Sequence, residues 1–242
     1  MFLRHMLQEL GTALLDFVYP PSCLACGRGM KEAGEYLCSP CWREIEMTAQ
    51  SRCQRCGCPL ERDGADCPNC AEWEPVFERA LVLGQFGGAM QQGIHALKFK
   101  HHGKLGVEMG RRMGAMLKGE LGAVELLVPV PLHAARQRER GYNQSLCVAR
   151  GLGAALGVRV DDSLVKRRVN TRQQAKLDAR QRQENLRDSF CLTGSLPDCG
   201  CIGLVDDVLT TGATLDACTR VLMEGGARRG WAVALASPFR ES

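Results

Sequence analysis

No stretch of this chain approaches the ~18 consecutive apolar residues that a membrane-spanning helix needs, so no span is expected. A convincing export signal is missing as well. Leu3, Met6, Leu7, Leu10, Leu14 and Phe17 recur at helical spacing, but Glu9 and Asp16 interrupt any apolar centre. That segment is expected to be an amphipathic helix packed on the body, and the default location is cytoplasmic. Strong charge imbalance is absent too, because a formal net charge of +4 on 242 residues argues little by its total. Histidine is scarce, at 5 residues, and none lies near the clustered cysteines, which disfavours an open catalytic metal site there. What remains is an ordinary globular composition, 45% apolar and 24% charged, long enough for one large or two modest domains around a proper core.

Cysteine is the abundant exception. Of 14 cysteines, nine fall between positions 23 and 70, mostly as C-x-x-C pairs: Cys23 with Cys26, Cys38 with Cys41, Cys53 with Cys56, and Cys67 with Cys70. Without an export signal, metal binding explains this arrangement better than disulfides do. Each pair sets two thiolates on one side of a tight knuckle, and two knuckles complete a tetrahedron of soft ligands, which selects zinc or iron. Paired knuckles outside a thioredoxin-like context favour zinc. The simplest count is two closed structural Zn2+ sites of four cysteines each. Spacing leaves open whether the first pair joins the second or the third. Cys58 is left over as a spare thiol. So small a module has little apolar content, and the metal is expected to supply most of its folding energy, roughly 10–16 kcal/mol apparent in finger peptides. Residues 1–75 are therefore expected to form a helical lead-in and a double zinc-ribbon module, and residues 76–242 a second domain.

From residue 76 onward the pattern changes to short apolar runs alternating with helical periodicity. Strands are expected at 80–86, 126–130, 202–205 and 231–236. Helices are marked by Met90, Ile94 and Leu97, by Leu105, Met109, Met113 and Leu117, by Leu146, Ala149, Leu152 and Leu156, and by Leu215, Cys218 and Leu222. Such alternation predicts a parallel sheet flanked by helices, with any ligand beyond the carboxyl ends of its strands.

At that edge falls the most informative string of the chain: two acids, then a turn of small and hydroxylated residues, then a helix. Asp206 and Asp207, as carboxylates, only accept hydrogen bonds and suit the two hydroxyls of a ribose ring. Thr210, Thr211, Gly212, Ala213 and Thr214 offer hydroxyls and helix-start amides to a phosphate, and Gly212 permits close approach and positive φ. A basic loop is expected to leave the strand at 126–130 and face the same ligand, with Arg136, Arg138 and Arg140 as forked donors for phosphate oxygens. Gly141 and Asn143 suit a sharp turn before a helix at Ser145. Residues 167–187, polar and rich in Arg and Gln, have the composition of a helix or a mobile loop.

Together these residues resemble the ComF family, nearly end to end. The likeness runs through the cysteine pairs, Lys98, the segment 129–144, Thr171, Gln174, Arg182 and Asn185, and the string 206–214, which is similar to the phosphoribosyl-pyrophosphate (PRPP) signature of type I phosphoribosyltransferases. The resemblance implies an α/β fold of the type I phosphoribosyltransferase kind behind a cysteine-rich zinc ribbon. It implies that residues 206–214 bind ribose and its 5′-phosphate, that Arg136 and Arg140 bind pyrophosphate with help from Lys98, and that Thr171, Gln174, Arg182 and Asn185 lie on a loop that closes over the site. Mg2+ would accompany PRPP. No base-reading element is matched, so no acceptor and no general base are nominated.

Two functions follow as alternatives. One is a phosphoribosyltransferase acting on a small nitrogen acceptor. The other is a non-catalytic accessory of DNA uptake that binds single-stranded DNA or a helicase partner. Against the second, the ribbon lacks interleaved aromatic and basic residues, with only Trp42 and Trp73 as large aromatics nearby.

Overall fold

The computed structural model describes residues 21–30, 35–47, 51–62, 64–168 and 189–238. The expected lead-in helix and the expected loop residues Thr171, Gln174, Arg182 and Asn185 lie outside the described residues.

The cysteine-rich part folds as one knuckle used twice. In the first, Cys23 N–H donates to Arg28 O and Gly27 N–H to Cys23 O; in the second, Cys53 N–H donates to Cys58 O and Gly57 N–H to Cys53 O. Gly27 and Gly57 take left-handed φ of 73° and 72°, which lets the backbone curl around each pair. The second pair of each set lies at a helix start: Cys38 and Cys41 at α1 (Ser39–Met47), Cys67 and Cys70 at α2 (Pro68–Glu72). Pro68 at the opening of α2 occupies a position whose missing N–H costs nothing.

Beyond the ribbon come β1 (Arg79–Gln85), α3 (Gly88–Phe99), α4 (Gly103–Met116), β2 (Leu126–Pro129), α5 (Ala134–Arg140), α6 (Gln144–Leu156), β3 (Arg159–Val160), β4 (Val165–Arg167), β5 (Phe190–Leu192), β6 (Cys201–Val208), α7 (Ala213–Glu224) and β7 (Arg229–Ser237). Five strands form one parallel sheet in the order β1-β7-β6-β2-β3, while β4 and β5 pair as a separate antiparallel ribbon.

The parallel α/β expectation holds, and the order adds something that periodicity did not carry. From β2 the chain passes through α5 and α6 to β3 on one side; from β6 it passes through α7 to β7 on the other. The adjacent strands β2 and β6 therefore bracket the point where connections diverge. In open α/β sheets that is where a crevice opens at the carboxyl ends.

Period-two alternation divides the core into two layers. Leu81, Leu83, Leu127, Val205, Val233 and Leu235 face α1, α3, α4 and α6. Ala80, Val82, Leu126, Val128, Ile202, Leu204, Ala232 and Ala234 face α7 and the β4–β5 pair. Cys23, Leu37, Cys41, Trp42 and Ile45 of the first ribbon belong to the first layer, so ribbon and sheet share a core. Helices α4 and α6 cross at glycines. A Cβ on Gly110 would collide with the Val148 carbonyl, and one on Gly151 with the Val107 carbonyl, so the backbones touch as small-residue faces allow.

Two local expectations need correction. The expected strand at 202–205 continues to Val208, so Asp206 and Asp207 lie on β6 rather than past its end. The basic segment after β2 is not a loop. Residues 134–140 coil into α5 because Ala, Arg, Gln and Glu are good helix formers. His133 caps the start by accepting from Ala135 N–H at 3.2 Å, and Gly141 at φ 76° ends it. No helix among the described residues is long and apolar enough to cross a membrane.

Candidate functional site

The metal centres follow from the knuckles. Cys23, Cys26, Cys38 and Cys41 gather in one cluster, and Cys53, Cys56, Cys67 and Cys70 in another. The pairing is therefore sequential rather than crossed. Sulfur–sulfur separations are 3.7 Å for Cys23–Cys41 and for Cys26–Cys38, 3.7 Å for Cys53–Cys70, and 3.4 Å for Cys56–Cys67. A tetrahedron with Zn–S bonds of about 2.3 Å has edges of about 3.8 Å, so both donor sets fit a structural zinc ion. Cys38 N–H also donates to Cys23 Sγ at 3.3 Å, a bond that stabilises thiolate there. Cys58 lies outside both clusters.

The second site is assembled at the carboxyl ends of β2 and β6. Asp207 is 4% exposed and shares the face of Val205, toward α3, where Lys98 Nζ lies 3.0 Å from its Oδ2. No well-directed hydrogen bond reaches that oxygen, which leaves acceptor capacity unused. Asp206 leaves the strand on the other side. Its Oδ1 accepts from the Ser145 hydroxyl at 2.8 Å and from the Asp207 N–H at 2.8 Å. Burial and then the neighbouring Asp207 charge push the Asp206 carboxyl up to about 7, against the lowering effect of Ser145, the Asp207 amide and Lys98.

Ser145 is held in place by the turn before it. Asn143 caps α6 by accepting from Ser145 N–H at 3.0 Å, and its Nδ2 donates to Val130 O at 3.0 Å, which ties the turn to the end of β2. The Tyr142 hydroxyl donates to the Leu97 carbonyl and so fastens the same turn to the end of α3, beside Lys98. Three elements distant in sequence thus meet around two acids.

After β6 the chain turns through Thr210 and Thr211, both exposed, to Gly212 at φ 80°, and α7 starts at Ala213. Thr211 Oγ1 accepts weakly from Ala213 N–H at 3.4 Å. The other first-turn amides of α7, including that of Thr214, give the loop a positive end. The arginines divide. Arg136 is exposed and presses electrostatically on Arg167. Arg140 is 9% exposed and lies over the Phe99 ring at 5.3 Å, with its carbonyl accepting from His101 Nδ1–H at 3.0 Å.

Two participants escaped sequence reasoning. Ser145 looked like a helix start only; its tie to Asp206 is tertiary. Arg167, at the end of β4, sat inside a segment notable only for composition. Burial first, then the Arg136 charge, holds its guanidinium below the usual arginine range, while Asp206 opposes them. Arg167 therefore belongs electrostatically to Asp206 and to Arg136.

Comparison with known proteins bears on the ribbon and on the chain as a whole. A family model described as a double zinc ribbon domain matches residues 14–71. Competence protein F of Haemophilus influenzae is 29% identical over 211 residues, 84% of this chain and 91% of that protein. DNA utilization protein YhgH of Escherichia coli K12 is 29% identical, covering 86% of this chain and 93% of that protein. Competence protein ComFC of Bacillus subtilis is 27% identical, with 79% and 80% covered. Among solved structures, a purine phosphoribosyltransferase from Pyrococcus horikoshii matches 65% of this chain and 78% of that one at 17% identity. Its TM-score of 0.32 is too low to bear weight, and the fold assignment rests on the strand order instead. Two tetrathiolate knuckles, a parallel α/β body and similarity to these relatives over most of the chain bear out the resemblance to the ComF family.

Proposed function

We propose that the crevice at β2 and β6 holds a 5-phosphorylated ribose, PRPP foremost, and that the protein acts as a phosphoribosyltransferase. One observation carries this reading: paired acids at the divergence point of a parallel sheet run directly into a left-handed glycine at a helix start. Asp206 and Asp207 accept from the ribose hydroxyls. Thr210, Thr211, Gly212, Ala213 and Thr214 receive the 5-phosphate. Arg136, Arg140, Arg167 and Lys98 neutralise the pyrophosphate.

The chemistry fits such an assembly. Loss of pyrophosphate leaves a cation-like anomeric carbon, which fixed carboxylates stabilise without reorganisation, while guanidinium groups stabilise the leaving charge. Asp206 and Asp207 also suit Mg2+, since both offer carboxylate oxygens and Asp207 Oδ2 is held by the Lys98 ammonium alone, with no well-directed hydrogen bond. When bound with PRPP, Mg2+ supplies charge neutralisation of the pyrophosphate oxygens.

Pyrophosphate release from PRPP, measured with purine, pyrimidine and amine acceptors, tests the transferase. Release that disappears in Asp206→Asn with Asp207→Asn supports it. PRPP binding without release across all acceptors points to a sensor that kept the site and lost turnover. No PRPP binding to folded, zinc-loaded protein overturns the reading.

The relatives named for competence and DNA utilization favour a second reading, a DNA-uptake accessory that meets single-stranded DNA or a helicase partner. Salt-dependent capture of a single strand, lost on zinc removal, would support it.

A further inference from the structure

We propose that Trp73 is a positioning residue of the phosphate loop, and that through it the second zinc ribbon sets the loop's shape and its affinity for a phosphate monoester. The proposal rests on the anion reading of residues 210–214 above and adds a part from outside the crevice.

The contact is direct. A Cβ on Gly212 would run into the Trp73 indole, with Cζ3 only 3.0 Å away, so the ring lies flush against the loop where its φ is 80°. A left-handed turn at a helix start is one of several conformations open to a glycine, and a large flat side chain against it restricts the choice. Trp73 is itself held from two sides. It ends α2, its N–H donating to Asn69 O at 3.0 Å, and its ring meets the fully buried Phe77 edge-on at 5.8 Å. Between the two aromatics, Val76 N–H donates to Asp216 Oδ1 at 2.6 Å, which fastens the same segment to the first turn of α7.

The opposite flank of the loop is also ribbon. Gly57 packs so closely on Leu209 that a Cβ there would meet Leu209 Cδ2 at 2.8 Å. Thr210 and Thr211 share the lining of a small cavity with Cys56, Cys58 and Asn69. Residues 209–212 are thus gripped by positions adjoining Cys56 on one side and Cys70 on the other. The path from the second tetrathiolate to the loop is a short helix, α2, and one indole. Order in that ribbon, which depends on its metal, becomes order in the loop.

The test uses full-length, zinc-loaded protein. Amide hydrogen exchange of residues 209–216 and calorimetric titration with ribose 5-phosphate and with inorganic phosphate are compared for wild type, Trp73→Phe and Trp73→Ala. Trp73→Ala is expected to speed exchange at 210–214 and to weaken ribose 5-phosphate binding, each about tenfold, as loss of one well-made contact allows. Trp73→Phe, which keeps a ring over Gly212, is expected to recover most of both. Unchanged exchange and affinity in a folded Trp73→Ala protein overturns the proposal while the sugar-phosphate reading stands. If Trp73→Ala does not fold, the indole emission of wild type decides. A phosphate-dependent change lost in Trp73→Phe supports the contact, and no such change overturns it. Absence of ribose 5-phosphate binding to wild type, together with faster exchange in Trp73→Ala, overturns the sugar-phosphate reading and leaves Trp73 its positioning role.

Discussion

The Ser145 hydroxyl donates to Asp206 Oδ1 at 2.8 Å, joining the start of α6 to the end of β6 across the divergence point of the sheet. It is one of the two bonds that fix the rotamer of that carboxylate, the other coming from the Asp207 backbone. Ser145→Ala is expected to weaken PRPP binding by roughly three- to tenfold, the net value of one ordinary hydrogen bond, with stability changed by about 1 kcal/mol. Calorimetric titration and urea denaturation measure the two effects separately.

The raised Asp206 pKa ties binding to pH. Its folded value, about 7, exceeds the unfolded one near 4, so the stability from the protonated acid is full below about pH 4 and is lost as pH rises through about 7. Ligand binding runs the opposite way, because the carboxylate is the better acceptor for ribose hydroxyls. Affinity for ribose 5-phosphate is expected to increase between pH 6 and pH 8. Asp206→Asn is expected to flatten that dependence to what the ligand's own phosphate ionisation near pH 6 leaves, weaken binding, and stabilise the ligand-free protein at pH 8 by roughly 1–3 kcal/mol.

Lys98 is the counter-charge of a buried acid, at 3.0 Å from Asp207 Oδ2. Lys98→Met keeps the aliphatic stem and removes the ammonium, so Asp207 is left without its partner. Discounted for the partial exposure of Lys98, the expected loss is roughly 1–3 kcal/mol, largely restored by adding Asp207→Asn. Urea midpoints of the two single variants and the double variant check this coupling.

Zinc removal is expected to affect more than the ribbon. Cys23 and Cys41 sit in the layer that contains Leu37, Trp42, Ile45 and the inner faces of α3 and α4. Chelation is expected to lower the melting temperature by about 10 °C or more, since each kcal/mol is worth about 2–4 °C in a chain of this size. Metal analysis of purified protein is expected to find two zinc ions per chain, one for each cluster.

The crossing of α4 and α6 makes a purely structural prediction. Gly110→Ala drives a methyl group into the Val148 carbonyl, a backbone atom that cannot swing aside. The expected cost is roughly 2–3 kcal/mol, although alanine is the better helix former. A matching change at exposed Gly119, where a Cβ would meet nothing within 4 Å, is expected to be tolerated far better.

The residues that were legible in advance are those whose meaning is local. A C-x-x-C knuckle is made by four consecutive residues, and the acids and hydroxylated turn of 206–214 are contiguous in one strand end and one turn. Strand positions were visible for the same reason, since β1, β2 and β7 are near-continuous apolar runs, as strands buried on both faces must be. The basic segment 134–140 reads as a loop in the sequence because clustered arginines suggest one, while their backbone preference is helical. Ser145 and Arg167 were out of reach because nothing near them in the chain signals an acid that arrives from another strand.

By itself the amino-acid order determined what was short-range: eight ligand cysteines in four knuckles, a parallel α/β body, and an acid pair followed by a hydroxylated turn. Tertiary structure alone decided which knuckles share a metal, that β2 and β6 stand side by side, and that an indole from the ribbon rests on Gly212. The reason is physical. Short-range features follow from backbone preferences and side-chain chemistry over a few residues. Pairing, strand order and packing depend on which apolar faces are buried together, and that is settled only when the whole chain closes on one core.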